Sequence, residues 1–576
     1  MPPEITPEKW NPRQWDNDGT FHIGINMAGA VSAGAYTAGV LDFLTEALEQ
    51  WYAAKAAENP KVPMHDVSID VFSGASAGGM CAAIASVMLQ GTFQHIKNPE
   101  DPTVSGTNNR FYESWVNKID IQWLLGDNDL EEGKPVISLL DSTIIDQIAE
   151  YALTPGPATT RPYVSDSLTL FLTLTNVRGT PYSLSGDAAG SAEEDTAYYG
   201  DKLQFETVKG SNTPPLSPFA KPLPVGVSGG SWPLLQDAAK ATGAFPLFLA
   251  PRKIDRLAKD YMYSPWEPVS KVNPPYVPPH WPLQPDGIFT TLNVDGGVTD
   301  NDPFQLAHDF LAVHNPKAKP DPETGELANP PESDKANCAV LTVAPFPADE
   351  FYHSDYNFDQ NSSVFGMLPN LFTALISQSR FLGESLAAVM SGQSFSRFVL
   401  APSDAGLPNE KALQCGLLGA FGGFFERGFR AHDYQLGRRN CQKLLMDHFR
   451  LATTNPVMQA GLNKLDEQVR NGVIGDFAST DPTQKDTVPI IPLCGTAAQE
   501  VPEPAHAKIT AARLSHVQNW IVDRLHAVAK PLIASVITSD FESWAARSAL
   551  DTLISTWGRA KLREVLEAQL QEVIEP

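Results

Sequence analysis

Basic residues are the first shortage in this sequence: 42 lysines and arginines stand against 67 aspartates and glutamates, a formal charge of −25. That balance disfavours nucleic-acid binding, because a phosphate backbone has to be neutralised by clustered cations. Cysteine is scarce as well. The five (Cys81, Cys338, Cys415, Cys441, Cys494) form no C-x-x-C pair and are odd in number, which argues against a disulfide framework or a zinc knuckle and for a reducing compartment. No uninterrupted apolar run approaches the ~18 residues of a membrane span. Residues 1–20 are polar and lack the apolar core of a secretory leader, so the expected location is the cytoplasm. No H-E-x-x-H or other local metal-ligand spacing occurs, so neither a metal nor an organic cofactor is expected.

What is present is globular composition, 42% hydrophobic and 19% charged. Phe21–Asn26 is a short apolar run that breaks into the small-residue segment Met27–Gly34, after which Val40, Leu41, Leu44 and Leu48 recur on one helical face. Val67–Phe72, the tight turn Ser73–Gly79 and the helical series Met80, Ile84, Val87 and Met88 repeat that grammar. Two strand-turn-helix units in succession predict an α/β fold with a mainly parallel sheet. Further strands are expected at Leu168–Val177 and Ala339–Ala344, loops at Gly186–Asp195 and Asn212–Pro224, and an exposed connector at Pro316–Asp334. Eight prolines between Pro265 and Pro285 exclude an internal strand or long helix there, since proline fixes φ and lacks a backbone donor. From Ile509 onward the pattern is helical, with Leu514, Val517, Ile521, Leu525 and Val528 on one face. The expected organisation is a polar segment (1–20), a catalytic core (21–345) with insertions at about 91–235 and 252–290, and a mainly helical C-terminal region (346–576).

Gly74-Ala75-Ser76-Ala77-Gly78 matches G-x-S-x-G, the turn that exposes a nucleophilic serine between strand and helix. By composition alone, a chain of this length holds such a match about one time in five. Its context is what gives it weight: Val67, Ile69 and Val71 alternate before it and a helical pattern follows. A second element, Asn293-Val-Asp-Gly-Gly-Val-Thr-Asp-Asn-Asp-Pro303, sets a carboxylate directly before two glycines at the end of an apolar stretch. By itself this is an Asp-Gly turn. On a turn, however, Asp295 is free to approach a hydroxyl from another strand.

Four separated features together resemble the patatin-like phospholipase family. They are the small-residue loop ending at Gly34 with Gly39-Val40-Leu41 after it, the Gly74–Gly78 elbow, Ala244-Phe245-Pro246, and Asp295-Gly296-Gly297 followed by Asn301 and Pro303. The resemblance covers roughly residues 20–305 and implies a three-layer α/β/α core, lipid carboxylic esters as substrates, and a Ser-Asp dyad of Ser76 as nucleophile and Asp295 as base. An ordinary aspartate is about 2.6 pKa units less basic than histidine, roughly 3.5 kcal/mol, so such a site asks for a buried Asp295. The family supplies oxyanion donors from a loop of three glycines, a variable residue, a cation and a glycine. Here that stretch reads Gly29-Ala30-Val31-Ser32-Ala33-Gly34, with the cation replaced by Ala33. The backbone N–H groups of Gly29, Ala30 and Ala77 are the expected donors. Val31 is expected in a conformation that L-residues tolerate. With no basic residue near the motifs, neutral or zwitterionic esters are favoured over anionic ones, and any transient contact with a membrane surface relies on apolar groups.

Two other readings stand beside this one: an α/β-hydrolase triad using His432 or His516, and a non-catalytic lipid- or protein-binding module on the same fold. Gly428–Asn440 packs Arg430, His432, Asp433, Arg438 and Arg439 closely and reads as a polar network tying the C-terminal part to the core. Asp127–Glu132 lacks the sixth-position glycine of a calcium loop and reads as a solvated acidic loop. His22 reads as a structural histidine. Leu417–Phe425 and the aromatics Trp266, Tyr276 and Trp281 read as core packing or a cover over the active-site cleft.

Overall fold

Alternation of apolar residues along the chain sets the layers of the structure. The computed structural model describes residues 12–16, 19–184, 194–263, 277–322, 325–346, 358, 394–404, 407, 411–536 and 559–575. One nine-stranded sheet contains β1 (Thr20–Met27), β2 (Asp66–Gly74), β3 (Val164–Leu184), β4 (Glu194–Val208), β5 (Lys221–Pro224), β6 (Arg252–Leu257), β7 (Ile288–Asp295), β8 (Cys338–Val343) and β9 (Arg397–Leu400). The main path runs β9-β8-β1-β2-β3-β4-β5, parallel from β9 to β3, with β4 antiparallel to β3. Phe21, Ile23, Ile25, Phe72, Leu170, Leu172, Ala339 and Leu341 join the large core on one face, while Val71, Phe171, Cys338 and Val340 join a smaller core on the other. Period-two alternation thus feeds both faces. The smaller core is completed by Phe304, Ala307 and Leu311 of α5 (Phe304–His314).

On the larger face lie α1 (Gly34–Lys55) and α2 (Ser76–Met88), joined in sequence order by α3 (Thr143–Ala152) and α4 (Trp232–Thr242). The result is the expected three-layer α/β/α arrangement, followed by a helical C-terminal part with α6 (Arg427–Asp447), α7 (Ala511–Val536) and α8 (Arg559–Leu570).

Several expectations need correction. The stretch 91–235, expected as an insertion, supplies β3, β4 and β5 of the sheet, and Lys221–Pro224, expected in a loop, is the strand β5. Helix α1 is not buried on one face: every residue from Gly34 to Leu48 is buried, because α6 covers its outer side. The two backbones touch at glycines. A Cβ on Gly39 would lie 1.9 Å from the Tyr434 carbonyl oxygen, and one on Gly437 would lie 2.2 Å from that of Tyr36. Arg438 of α6 pairs with Asp42 and, at 2.6 Å, with Glu46 of α1, all three fully buried. Burial raises the Asp42 pKa, but the Arg438 guanidinium and His95 outweigh it and hold the carboxyl at about 2. The Gly428–Asn440 network therefore does tie α6 to the core, and α6 belongs to that core rather than to a separate C-terminal region. Asp129 is no solvated acid either, since it makes an ion pair with Arg524 of α7 at 2.6 Å. Leu525 is exposed, unlike its neighbours Leu514, Val517 and Val528. His22 is the structural histidine expected, 2.8 Å from Asp70 and stacked on Trp15. All five cysteines are buried and unbridged. Trp266 and Tyr276 lie outside the described residues, and Trp281 packs on Tyr261 and Phe289.

Candidate active site

Strand β3 carries two partners in tandem on one edge. Its first half pairs with β2 as far as Leu172 opposite Gly74, where β2 ends and the chain turns into α2. The edge left free is taken by β7, running antiparallel, with Asp295 opposite Leu174. Two residues along one strand thus separate the elbow from the end of β7, although Ser76 and Asp295 are 219 positions apart in sequence.

At that junction the Ser76 hydroxyl donates to Asp295 Oδ2 at 2.6 Å, and the Gly297 N–H donates to Oδ1 at 2.8 Å. Asp295 is buried, 3% exposed. Burial pushes its carboxyl up from the ordinary 3.8 to about 7, against the lowering influence of the Ser76 hydroxyl and the Gly297 N–H. A carboxylate with that proton affinity accepts the serine proton far more readily than an ordinary aspartate.

The serine backbone is held in a strained geometry: Ser76 has φ +51°, a left-handed conformation that costs an L-residue roughly 1–2 kcal/mol. Two contacts enforce it. The Ser76 N–H donates to Thr242 Oγ1 of α4 at 2.9 Å. Gly78 packs so closely under the end of β1 that a Cβ there would lie 2.1 Å from the Met27 carbonyl oxygen. Gly74 ends β2, and Gly296 and Gly297 form the single turn after Asp295. Thr242 was not found from sequence, although it stands two residues before the Ala244-Phe245-Pro246 match; a helix-end threonine carries no distinguishing spacing.

The oxyanion loop departs from expectation. The Gly29 N–H is engaged, donating to the Asn301 carbonyl at 3.0 Å, so it is removed from the donor set. Gly29 instead provides closeness, since a Cβ there would lie 2.1 Å from Asn301 Oδ1 and 3.0 Å from Ser76 Cβ. Val31 takes φ +47°, the left-handed region it was expected to avoid. What compels it is packing further along the loop: Ser32 Oγ donates to the Ala420 carbonyl at 2.6 Å and accepts from the Gly423 N–H at 3.1 Å. Ala77, in the first turn of α2, has no preceding helical carbonyl to bond. Ala30 is buried at the start of the short turn Val31–Ala33.

Ser76, Ala77 and Asp295 line a cavity. Its walls are almost wholly apolar, with Ile84, Trp115, Ile148, Phe248 and Phe421 among them. The Leu417–Phe425 stretch therefore does form part of the cover, Phe421 packing on Phe245 and Phe248. One cation, Lys240, lines the cavity, but it is bonded to Asp237 at 3.0 Å and Asp146 at 3.4 Å. No histidine is among the described lining residues. His432 is buried beside Asp433, and His516 stands exposed against Trp520.

Comparison with known proteins agrees with this arrangement. The family model described as patatin-like phospholipase matches residues 26–308. Among curated proteins, "Uncharacterized protein y4iI" of Sinorhizobium fredii (strain NBRC 101917 / NGR234) is 35% identical over 563 residues, covering 90% of this chain and 77% of that protein.

Proposed function

The chain belongs to the patatin-like phospholipase family, a family of lipid acyl hydrolases, and we propose that it cleaves carboxylic esters of lipids through an acyl-enzyme on Ser76 with Asp295 as general base. The observation that carries this reading is the direct 2.6 Å hydrogen bond from Ser76 to a buried carboxylate lining an apolar cavity. Asp295 accepts the hydroxyl proton as Ser76 Oγ bonds to the ester carbonyl carbon, and returns it to the leaving alkoxide as the C–O bond breaks. Water then repeats the sequence on the acyl-enzyme: Asp295 takes its proton, and Ser76 leaves with the proton restored. The oxyanion formed in both halves is received by the N–H of Ala77, aided by the α2 dipole, and by that of Ala30.

The acyl chain lies along the apolar walls. Phe248, which lines the cavity, is 36% exposed, and Leu247 (75%) and Trp123 (52%), next in sequence to the lining residues Phe248 and Leu124, add apolar surface that a lipid phase can cover. With Lys240 already paired, no free cation among the described lining residues favours an anionic head group, so neutral or zwitterionic esters are the substrates.

Hydrolysis of a short-chain chromogenic ester by wild type, Ser76→Ala and Asp295→Asn tests the reading, together with labelling by a serine-directed phosphonate. Ser76→Ala should lose both turnover and label, and Asp295→Asn should lose about 10²–10⁴ in rate. Near-normal turnover by Asp295→Asn removes Asp295 as base. An inert, unlabelled wild type replaces the enzyme reading with that of a binding module.

A further inference from the structure

A second cluster of chemically competent groups lies outside the acyl-hydrolase site and has no part in it. Asp404 follows β9, His432 sits within α6, and His506 stands in the irregular segment before α7; Asp404 and His506 are 102 positions apart. Yet one ligand atom from each of the three lies within 4.8 Å of the other two. No local spacing rule sees such a set, because each residue comes from a different segment.

The buried histidine is prepared as a ligand. His432 is fully buried, and its Nδ1 is 2.8 Å from Asp433 Oδ1. The Asp433 oxygens also accept the backbone N–H groups of Gln414 and Cys415, each at 2.9 Å. A carboxylate so engaged is an acceptor, so Nδ1 carries the proton and Nε2 presents its lone pair. Nε2 has no hydrogen-bond partner among the described residues. A carboxylate orienting one imidazole nitrogen while the other is left bare is the arrangement that fixes metal-binding histidines.

The remaining groups complete a donor set. The His432 and His506 rings lie 4.6 Å apart at 49°. His506 Nε2 is 3.1 Å from Asp404 Oδ2, and Glu503 brings a second carboxylate against Asp404. Glu503 also pairs with Arg439 at 3.6 Å, whereas the bare Nε2 of buried His432 faces Asp404 and His506 with no partner of its own. An ion pair between His506 and Asp404 alone leaves the bare, buried Nε2 of His432 unexplained. The half-exposed His506 side chain gives an ion access from solvent.

We propose that Asp404, His432 and His506 bind one divalent transition-metal ion of the zinc class, with Glu503 or water in the fourth position. Two imidazoles and one carboxylate with an open fourth place suit tetrahedral Zn2+ rather than the all-oxygen shells of Mg2+ or Ca2+. The ion braces the segment before α7 and the connector after β9 onto α6, whose own packing on α1 belongs to the core. It takes no part in ester cleavage.

The test uses the full chain, purified without a histidine tag and stripped with a chelator. Titration with Zn2+ by calorimetry should show about one equivalent bound, with a rise in melting temperature, and Co2+ should give visible d–d absorption at the same stoichiometry. His506→Ala, at a partly exposed position, and Asp404→Asn should each weaken Zn2+ binding at least about tenfold. His432→Ala is the more severe change, and these two variants keep the test valid if it fails to fold. Wild-type protein that takes up neither Zn2+ nor Co2+ stoichiometrically overturns the proposal, as does His506→Ala binding Zn2+ as wild type does.

Discussion

Replacing Asp295 by asparagine should make the protein more stable while disabling it, and the size of the gain follows from the site. In the folded protein burial raises the Asp295 carboxyl to about 7 from an ordinary 3.8. Between those values the folded state holds a proton that the unfolded chain has released. Stability linked to that proton is fully present below about pH 4 and is lost as pH rises through about 7, because the buried carboxylate then has to ionise. Three pH units at about 1.4 kcal/mol each put the loss near 4 kcal/mol. Asparagine keeps the shape: its carbonyl accepts the Gly297 N–H and its amide faces the Ser76 hydroxyl, with no charge to bury. Urea denaturation of wild type and Asp295→Asn at pH 5 and pH 8.5 measures the difference, all other titrating groups being common to both. Part of that loss falls below pH 5, so over this interval the wild type should lose about 3 kcal/mol relative to the variant. Parallel pH dependence in the two proteins would refute the raised proton affinity, and with it the reason an aspartate can serve as base here.

The same group sets the rate profile: kcat/KM for a soluble ester should rise with pH through about 7, as Asp295 becomes the free base, and a profile flat from pH 5 to 9 counts against it. Arg438→Met strips the guanidinium from buried Asp42 and Glu46, leaving them His95 and Lys97 as charged partners, and should destabilise the fold by about 3 kcal/mol, read as a lower urea midpoint. Gly29→Ala drives a methyl into Asn301 and toward Ser76 Cβ, so turnover should fall at least about tenfold while thermal stability changes little; unchanged turnover means the loop does not abut the reacting centre. Leu247→Asp should reduce hydrolysis of a vesicle-borne phospholipid and leave that of a monomeric ester unaltered, and equal loss on both substrates removes Leu247 from any role at a lipid surface.

The legible part of this molecule was the part that the backbone dictates. A strand that must end in a left-handed turn needs small residues around Ser76, and an aspartate that must leave a strand end needs the glycines after it, so both left marks in the sequence. The α1–α6 pair left a polar mark, the Gly428–Asn440 cluster, but no apolar stripe along α6. Its buried positions include Arg438, Asp42, Glu46, His432 and Asp433, so a search for apolar periodicity passes over α6. Strand β4 was missed for a related reason: as Glu194–Val208 it is largely polar and half exposed, supported by its neighbour β3 rather than by its own pattern. The strain at Val31 was misjudged because its cause lies about 390 residues away, where Ser32 is fastened to Ala420 and Gly423. The cavity walls likewise come from segments that share no motif.

The tandem use of one edge of β3 has a metrical consequence. The ruler for the Ser76–Asp295 separation is the two-residue step from Leu172 to Leu174, not the length of the 219-residue interval in which that step lies. Material can be added to or removed from the loops between the elements of that interval with little effect on the dyad, since the entropy of closing a loop grows only slowly with its length. A slip of β7 by one residue, in contrast, moves the carboxylate about 3.3 Å and turns it to the opposite face of the sheet. Indifference to loop length and intolerance of register are therefore two sides of one hydrogen-bond ladder, and it is the ladder that sets the Ser76–Asp295 geometry.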